Sequence, residues 1–158
     1  RAQGKNVSQY ESMMKNVFTE IARLLKPAGL ATIVFHSAKA NVWRALSRAY
    51  SGAGLRVEET SILDKIQASF KQVVSNVSVK GDPLLLLSKG SSDKNSGLNH
   101  NSLVDEILDE ARRLPPKEIE AERLYSQFVS RCLDLGIEVR LDAREFYDKV
   151  RNTLGDGT

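Results

Sequence analysis

Cysteine and histidine are scarce in this chain of 158 residues. Cys132 is the only cysteine, so no disulfide can form within the chain. The two histidines, His36 and His100, are far apart in the sequence, and with one cysteine they cannot build a zinc site unaided. We therefore expect no metal site, and the lack of disulfides is typical of a reducing, cytoplasmic setting.

Long hydrophobic runs are also absent. The longest stretch rich in apolar residues, Leu30–Phe35, has six residues, whereas a membrane helix needs about 20. The first residues begin with Arg1 rather than methionine, and they show no signal-peptide pattern. We predict that the protein has no membrane segment, and we expect this chain to be a piece of a longer polypeptide.

Charged residues of both signs are present, but they are unevenly placed. Residues 1–97 contain 14 Lys and Arg against seven Asp and Glu, whereas residues 98–158 contain nine against 13. Between the two parts, Ser88–Gly97 is nearly free of apolar side chains, which is typical of a flexible linker. The sequence therefore predicts three segments: a first unit over 1–89, a linker over 90–101 and a second unit over 102–158.

The first unit alternates helical and strand patterns. Apolar residues at helical spacing run from Val7 to Leu25, and a Lys-Pro-Ala-Gly turn separates this helix from a predicted strand at Leu30–Phe35. A second helix with Asn41 as its predicted cap leads to a second strand at Leu55–Thr60. Because such an alternation is a crossover pattern, it predicts parallel strands covered by helices.

The first unit ends in a short, fully apolar strand at Leu84–Leu87. No helical pattern long enough for a crossover precedes it. We therefore expect this strand to return antiparallel to its predecessor, the partly alternating stretch Val73–Val79, so that the sheet ends in a hairpin.

The second unit has three helical patterns. They begin near Ser102, Ile119 and Asp142, and the last opens with a capping box formed by Asp142 and Glu145. They fit either a small bundle or a helical layer against the sheet. The excess of acidic residues argues against a DNA-recognition helix, which needs positive charge near phosphate. We favour a role in packing or interdomain docking.

The first unit resembles the second half of a class I S-adenosylmethionine-dependent methyltransferase. The segment Arg23–Leu30, with its Leu-Lys-Pro-Ala-Gly turn, is similar to the entry into the fifth strand of that fold. Trp43–Leu46 and Ala53–Val57 resemble the following helix and sixth strand, and Leu84–Leu87 would be the antiparallel seventh strand. The resemblance covers roughly residues 7–89. It implies an α/β fold, namely the C-terminal half of a Rossmann-like methyltransferase sheet followed by a small helical region.

Within this class, His36, Trp43 and Phe70-Lys71-Gln72 are similar to segments of large prokaryotic DNA adenine methylases. The resemblance implies methyl transfer from S-adenosylmethionine to a base amine, with DNA as a partner. The Gly-rich cofactor loop and the Asp/Asn-Pro-Pro-Tyr/Phe loop of these enzymes have no match in this sequence. We therefore expect the cofactor to be held mainly by sequence outside this chain, which would not methylate alone.

Two candidate substrate-binding residues, His36 and Ser37, follow the first predicted strand. Open α/β sheets bind their ligands at this carboxyl end of the strands. We favour the alternative that His36 merely ends a buried strand and hydrogen-bonds to the backbone, because no partner carboxylate lies near it in the sequence. Asp82 is interpreted as a turn residue.

The other candidates, Phe70, Lys71 and Gln72, lie in a predicted loop between two strands. An aromatic ring flanked by a basic and an amide side chain suits stacking on an extruded base with phosphate contacts nearby. The sequence fits equally well an alternative in which the Phe70 ring packs beneath its own loop.

Two other functions fit the same sequence. One is a non-catalytic module that binds nucleic acid or protein, and the other is a methyltransferase that acts on RNA or a small molecule. The predicted fifth strand would also have an unpaired edge. We expect that edge to pair with a missing N-terminal half, with a second copy of the chain or with the helical segment.

Overall fold

The computed structural model describes residues 6–63, 81–91, 99–114 and 119–155, and in these ranges it is a mixed α/β structure. These ranges contain five helices and three strands, which follow one another as α1 (Val7–Leu24), β1 (Ala31–Val34), α2 (Ala40–Gly52), β2 (Leu55–Leu63), β3 (Asp82–Lys89), α3 (His100–Ala111), α4 (Ala121–Leu135) and α5 (Ala143–Leu154).

The three strands form one sheet in the order β1–β3–β2. β3 is antiparallel to both neighbours, so Leu85 lies opposite Ile33 on one side and opposite Thr60 on the other. The partner strand of the predicted hairpin, Val73–Val79, lies outside the described residues, so the hairpin stays a prediction. β1 and β2 run in the same direction, but the predicted pairing of parallel strands is wrong for these ranges. The apolar β3 lies between them, where both of its edges are hydrogen-bonded.

The two faces of the sheet differ in their exposure. Because successive side chains alternate between faces, Ile33, Leu85 and Leu87 share the face that packs under the helices, where both leucines are fully buried. The opposite face carries Val34 and Leu63, and about half of each side chain is exposed. Among the described residues, the buried apolar side chains of the sheet therefore lie on one face.

Helices α1 and α2 lie side by side. Glu11 binds Arg48 at 2.8 Å, and one turn further along α1, Lys15 lies against Gly52 at the end of α2. The two helices therefore run in the same direction. Phe18, the one fully buried residue of α1, packs edge-to-face against Tyr50 of α2 with ring centroids 6.1 Å apart.

The helices of the predicted second unit form a layer on the sheet. α4 packs against β2, where the Thr60 hydroxyl donates to Asp134 at 2.6 Å. Phe128 of α4 stacks on Phe146 of α5 at 5.2 Å, within the same hydrophobic cluster as the sheet. The structure combines the two predicted arrangements, because α3, α4 and α5 contact one another and α4 also contacts the sheet. The division into 1–89 and 102–158 stays a prediction, and residues 92–98 of the predicted linker lie outside the described ranges.

Asp142 joins the two parts of the chain. It forms the predicted capping box with Glu145 at the start of α5. Its carboxylate also accepts hydrogen bonds from the Ala40 backbone N–H at 2.7 Å and the Lys39 ammonium at 2.8 Å. The predicted cap of α2, Asn41, is therefore wrong. α2 begins at Ala40, and its first N–H groups are capped by a side chain far away in the sequence.

Candidate functional site

The candidate site lies where β1 ends and β3 begins. The pairing of these strands extends beyond β1, because the Phe35 N–H donates to the Pro83 carbonyl at 3.1 Å. This register places His36 directly across from Asp82, and His36 Nδ1 lies 2.8 Å from Asp82 Oδ1. The strand pairing therefore brings together a histidine and a carboxylate that are far apart in the sequence.

The two side chains differ in their access to solvent. The Asp82 side chain is 8% exposed, whereas 34% of the His36 side chain is exposed. The carboxylate lies within ion-pair distance of Nδ1, which leaves Nε2 for another partner. In this pair, Asp82 is the buried group, and His36 is the group that an incoming molecule can reach.

The position of Asp82 depends on α4. The Ser126 hydroxyl of this helix donates to the Gly81 carbonyl at 3.1 Å, and both residues are buried. Gly81 has a φ of 78°, a left-handed conformation that glycine adopts readily. The interpretation of Asp82 as a turn residue alone was incomplete. No local signal identifies its role, since that role depends on strand register.

Ser37 is placed beside His36 but has a different role. Its hydroxyl accepts a hydrogen bond from the Lys39 backbone N–H at 3.1 Å, and its carbonyl accepts one from Trp43 Nε1 at 2.8 Å. These bonds shape the turn from β1 into α2. Trp43 is fully buried against Phe35 and is therefore a core residue. Ser37 therefore holds the turn from which His36 projects.

The remaining candidates, Phe70, Lys71 and Gln72, lie outside the described residues, and their proposed contact with a base stays a prediction. Two other chemically notable residues are in the core. Burial raises the pKa of the Cys132 thiol to about 12, so the thiol is protonated and a poor nucleophile. Burial also lowers the pKa of His100, which packs edge-to-face against Phe128.

A separate cavity of about 320 Å³ lies between α2, β2 and the turn after α4. Its lining includes Arg44, Arg48, Tyr50 and Cys132, but neither His36 nor Ser37. The candidate site is therefore a surface site at the strand ends, distinct from this cavity.

Comparisons with protein-family models, with curated proteins and with solved structures found no match to this chain. Every helix in the described part of the chain is too short or too polar to cross a bilayer. Across the same ranges, no three side chains of His, Cys, Asp and Glu are grouped as a metal site.

Proposed function

We propose that this chain is the C-terminal part of a class I S-adenosylmethionine-dependent methyltransferase that acts on DNA. It supplies the last three strands of the sheet and part of the pocket for the target base. The strand directions are the main support. The resemblance implies parallel strands followed by an antiparallel seventh strand, and in the described residues β1 and β2 share a direction while β3 is reversed.

The position of His36 and Asp82 also supports the proposal. They lie at the carboxyl ends of β1 and β2, where Leu63 pairs with Asp82. Ligands of open α/β sheets bind outside this end of the strands. An enzyme that modifies a base must hold it outside the helical stack with hydrogen bonds and ring contacts. The exposed edge of the His36 imidazole supplies one such hydrogen bond, and Asp82 holds the ring in place.

The described residues do not form a glycine-rich loop of the kind that would hold S-adenosylmethionine. The turn from β1 into α2, Phe35–Lys39, contains no glycine, and Gly52-Ala53-Gly54 lies between a helix and a strand, the reverse of a cofactor loop. S-adenosylmethionine supplies the methyl group in this proposal, and sequence outside this chain binds it.

The test is a methyl-transfer assay on the complete natural protein that contains this chain. Radiolabelled S-adenosylmethionine is supplied with unmethylated genomic DNA, with RNA or with no acceptor. We expect label in DNA, and we expect calorimetry to detect no binding of S-adenosylmethionine to residues 1–158 alone. We expect His36→Ala to reduce transfer by about tenfold, the effect of one lost hydrogen bond, whereas Arg151→Ala should leave it unchanged.

Each other outcome contradicts the proposal in a specific way. Label in RNA alone would support the RNA methyltransferase. Tight DNA binding without methyl transfer would support a non-catalytic module. Binding of S-adenosylmethionine to residues 1–158 alone would show that the cofactor site lies in this chain.

A further inference from the structure

The cavity between α2, β2 and the turn after α4 is large enough for a small ligand. Ligand pockets have volumes of about 300–1,000 Å³, and this cavity of about 320 Å³ is at the lower end of that range. Its lining includes the exposed residues Arg48 and Glu138, so it opens to solvent. The volume equals that of about ten water molecules in the liquid, which suits a molecule with one ring or a short chain.

The buried part of the lining is apolar and aromatic. It comes from α2, β2, α4 and the turn after α4, and its members are Tyr50, Val57, Cys132, Leu133 and Val139. Transfer of an apolar group from water to such surroundings is favourable. The inner part of the cavity therefore favours the apolar body of a ligand over a polar one.

The polar part of the lining comes mainly from one side of α2. Four residues of this helix, spaced three or four positions apart, line the cavity: Arg44, Ser47, Arg48 and Ser51. A guanidinium donates hydrogen bonds in a planar fork that matches a carboxylate, and a serine hydroxyl can donate another. This side of the cavity therefore suits an acidic group.

Three charged residues line the cavity, and two of them are already paired. Arg48 binds Glu11 at 2.8 Å, and Glu138 lies 3.2 Å from Arg140. The third, Arg44, is half-buried, and its guanidinium forms no hydrogen bond or ion pair with any other described residue. The cavity thus has one positive charge without a direct partner.

The nearby Asp142 does not supply that partner. The charge of Arg44 helps to lower the pKa of Asp142, but the two carboxylate oxygens accept hydrogen bonds from Lys39 at 2.8 Å and from the Ala40 N–H at 2.7 Å. Removing a charge from water without a partner costs free energy. A ligand with a single negative charge would balance Arg44, whereas a dianion would bring one negative charge too many.

We propose that this cavity binds a small carboxylic acid with an apolar body, in its ionised form. The Arg44 guanidinium holds the carboxylate, and the body packs against Val57, Leu133 and Val139. The proposal does not depend on the proposed function, because the cavity is separate from His36 and Ser37.

Titration of residues 1–158 with benzoate, followed by methyl NMR, tests the site directly. We expect the methyl signals of Val57, Leu133 and Val139 to shift with one common dissociation constant below about 1 mM. The methyl signals of Leu103 and Val104 should stay unchanged, because these α3 residues are buried outside the cavity.

Three further probes separate the parts of the proposal. Benzyl alcohol keeps the ring but lacks the charge, acetate keeps the carboxylate but lacks the ring, and phenyl phosphate carries a second negative charge. We expect benzyl alcohol and acetate each to bind at least about tenfold more weakly than benzoate, since each loses one of the two interactions. Phenyl phosphate should also bind more weakly than benzoate.

Arg44→Met tests the guanidinium, and the substitution keeps an unbranched side chain. We expect benzoate to bind to this variant at least about tenfold more weakly, the effect of a lost charged hydrogen bond. Arg113→Met is the matched control, because it removes the same charge from an exposed position outside the cavity. Its affinity for benzoate should equal that of the wild-type protein.

The proposal is overturned where benzoate shifts none of the lining methyl signals, or where Arg44→Met and Arg113→Met bind it equally well. Equal binding of benzyl alcohol and benzoate would show an apolar cavity only, and tighter binding of phenyl phosphate would replace the carboxylate by a phosphate ester. The comparison of these probes on the wild-type protein remains decisive even where Arg44→Met does not fold. Methyl transfer to DNA, or its absence, bears only on the proposed function.

Discussion

The helical layer on β2 and the region around α1 and β1 use apolar residues in different ways. In the helical layer, Tyr125, Phe128 and Phe146 are fully buried and contact one another. α1 has one fully buried residue, Phe18, and exposes Val17 and others to solvent. Among the described residues, the apolar side chains of the second part are therefore much better buried than those of α1.

The largest effect is expected for Phe128→Ala. This ring is fully buried and contacts Tyr125, Phe146 and His100, so its removal leaves a cavity that the neighbours cannot close. We expect the free energy of unfolding to fall by about 3–5 kcal/mol. Urea denaturation followed by circular dichroism measures the change. A loss of less than about 1 kcal/mol would show that this layer is loosely packed.

Asp142→Ala tests the connection between the helical layer and α2. The carboxylate caps both α5 and α2, and each lost cap costs about 1 kcal/mol. We therefore expect a loss of about 2 kcal/mol in the same denaturation experiment. Asp148→Ala is the matched control, because its exposed ion pair with Arg151 is worth little. Equal losses in both variants would rule out a special role for Asp142.

The contribution of the Asp142 carboxylate to stability should also depend on pH. Burial by itself raises the pKa of Asp142, but hydrogen bonds from Lys39 and Ala40 and the charges of Lys39 and Arg44 outweigh it, so the pKa is lowered. A lowered pKa in the folded state stabilises the protein above the ordinary aspartate pKa, and this contribution is lost as pH falls through the folded value. We expect the Asp142→Asn variant to lose less stability than the wild-type protein when the pH falls from about 5 to about 3. An unchanged pH profile in denaturation would contradict this.

The smallest effect is expected for Val17→Ala. Its side chain is half exposed, so residues 1–158 should lose less than about 0.5 kcal/mol on denaturation. A loss of several kcal/mol in residues 1–158 would show that α1 is already covered. It would contradict the difference in burial between α1 and the second part of the chain.

Local signals predicted the helices well, but not every helix end, since the predicted cap of α2 was wrong. The capping box at Asp142 and the turn after α1 each depend on residues within a few positions of one another. The strand at Leu84–Leu87 was also recognisable, although the structure extends it to Asp82–Lys89. Such features follow from short-range hydrogen bonds and apolar spacing, which the sequence displays directly.

The candidate site was only half predictable. His36 could be identified from its place after a strand, but its partner Asp82 could not, because a strand register decides which residues face each other. For the same reason, the second role of Asp142 as the cap of α2 was not visible in the sequence.

The sequence by itself determined the described helices and strands, the turn after α1, the capping box of α5 and the absence of a long apolar span, because periodicity, caps and turns act over a few residues. Only the tertiary structure decided that β3 lies between β1 and β2, that His36 meets Asp82 and that one edge of the sheet stays open among the described residues. These features depend on which distant segments pair and in which register, and that choice is made by burial and hydrogen bonding across the whole fold.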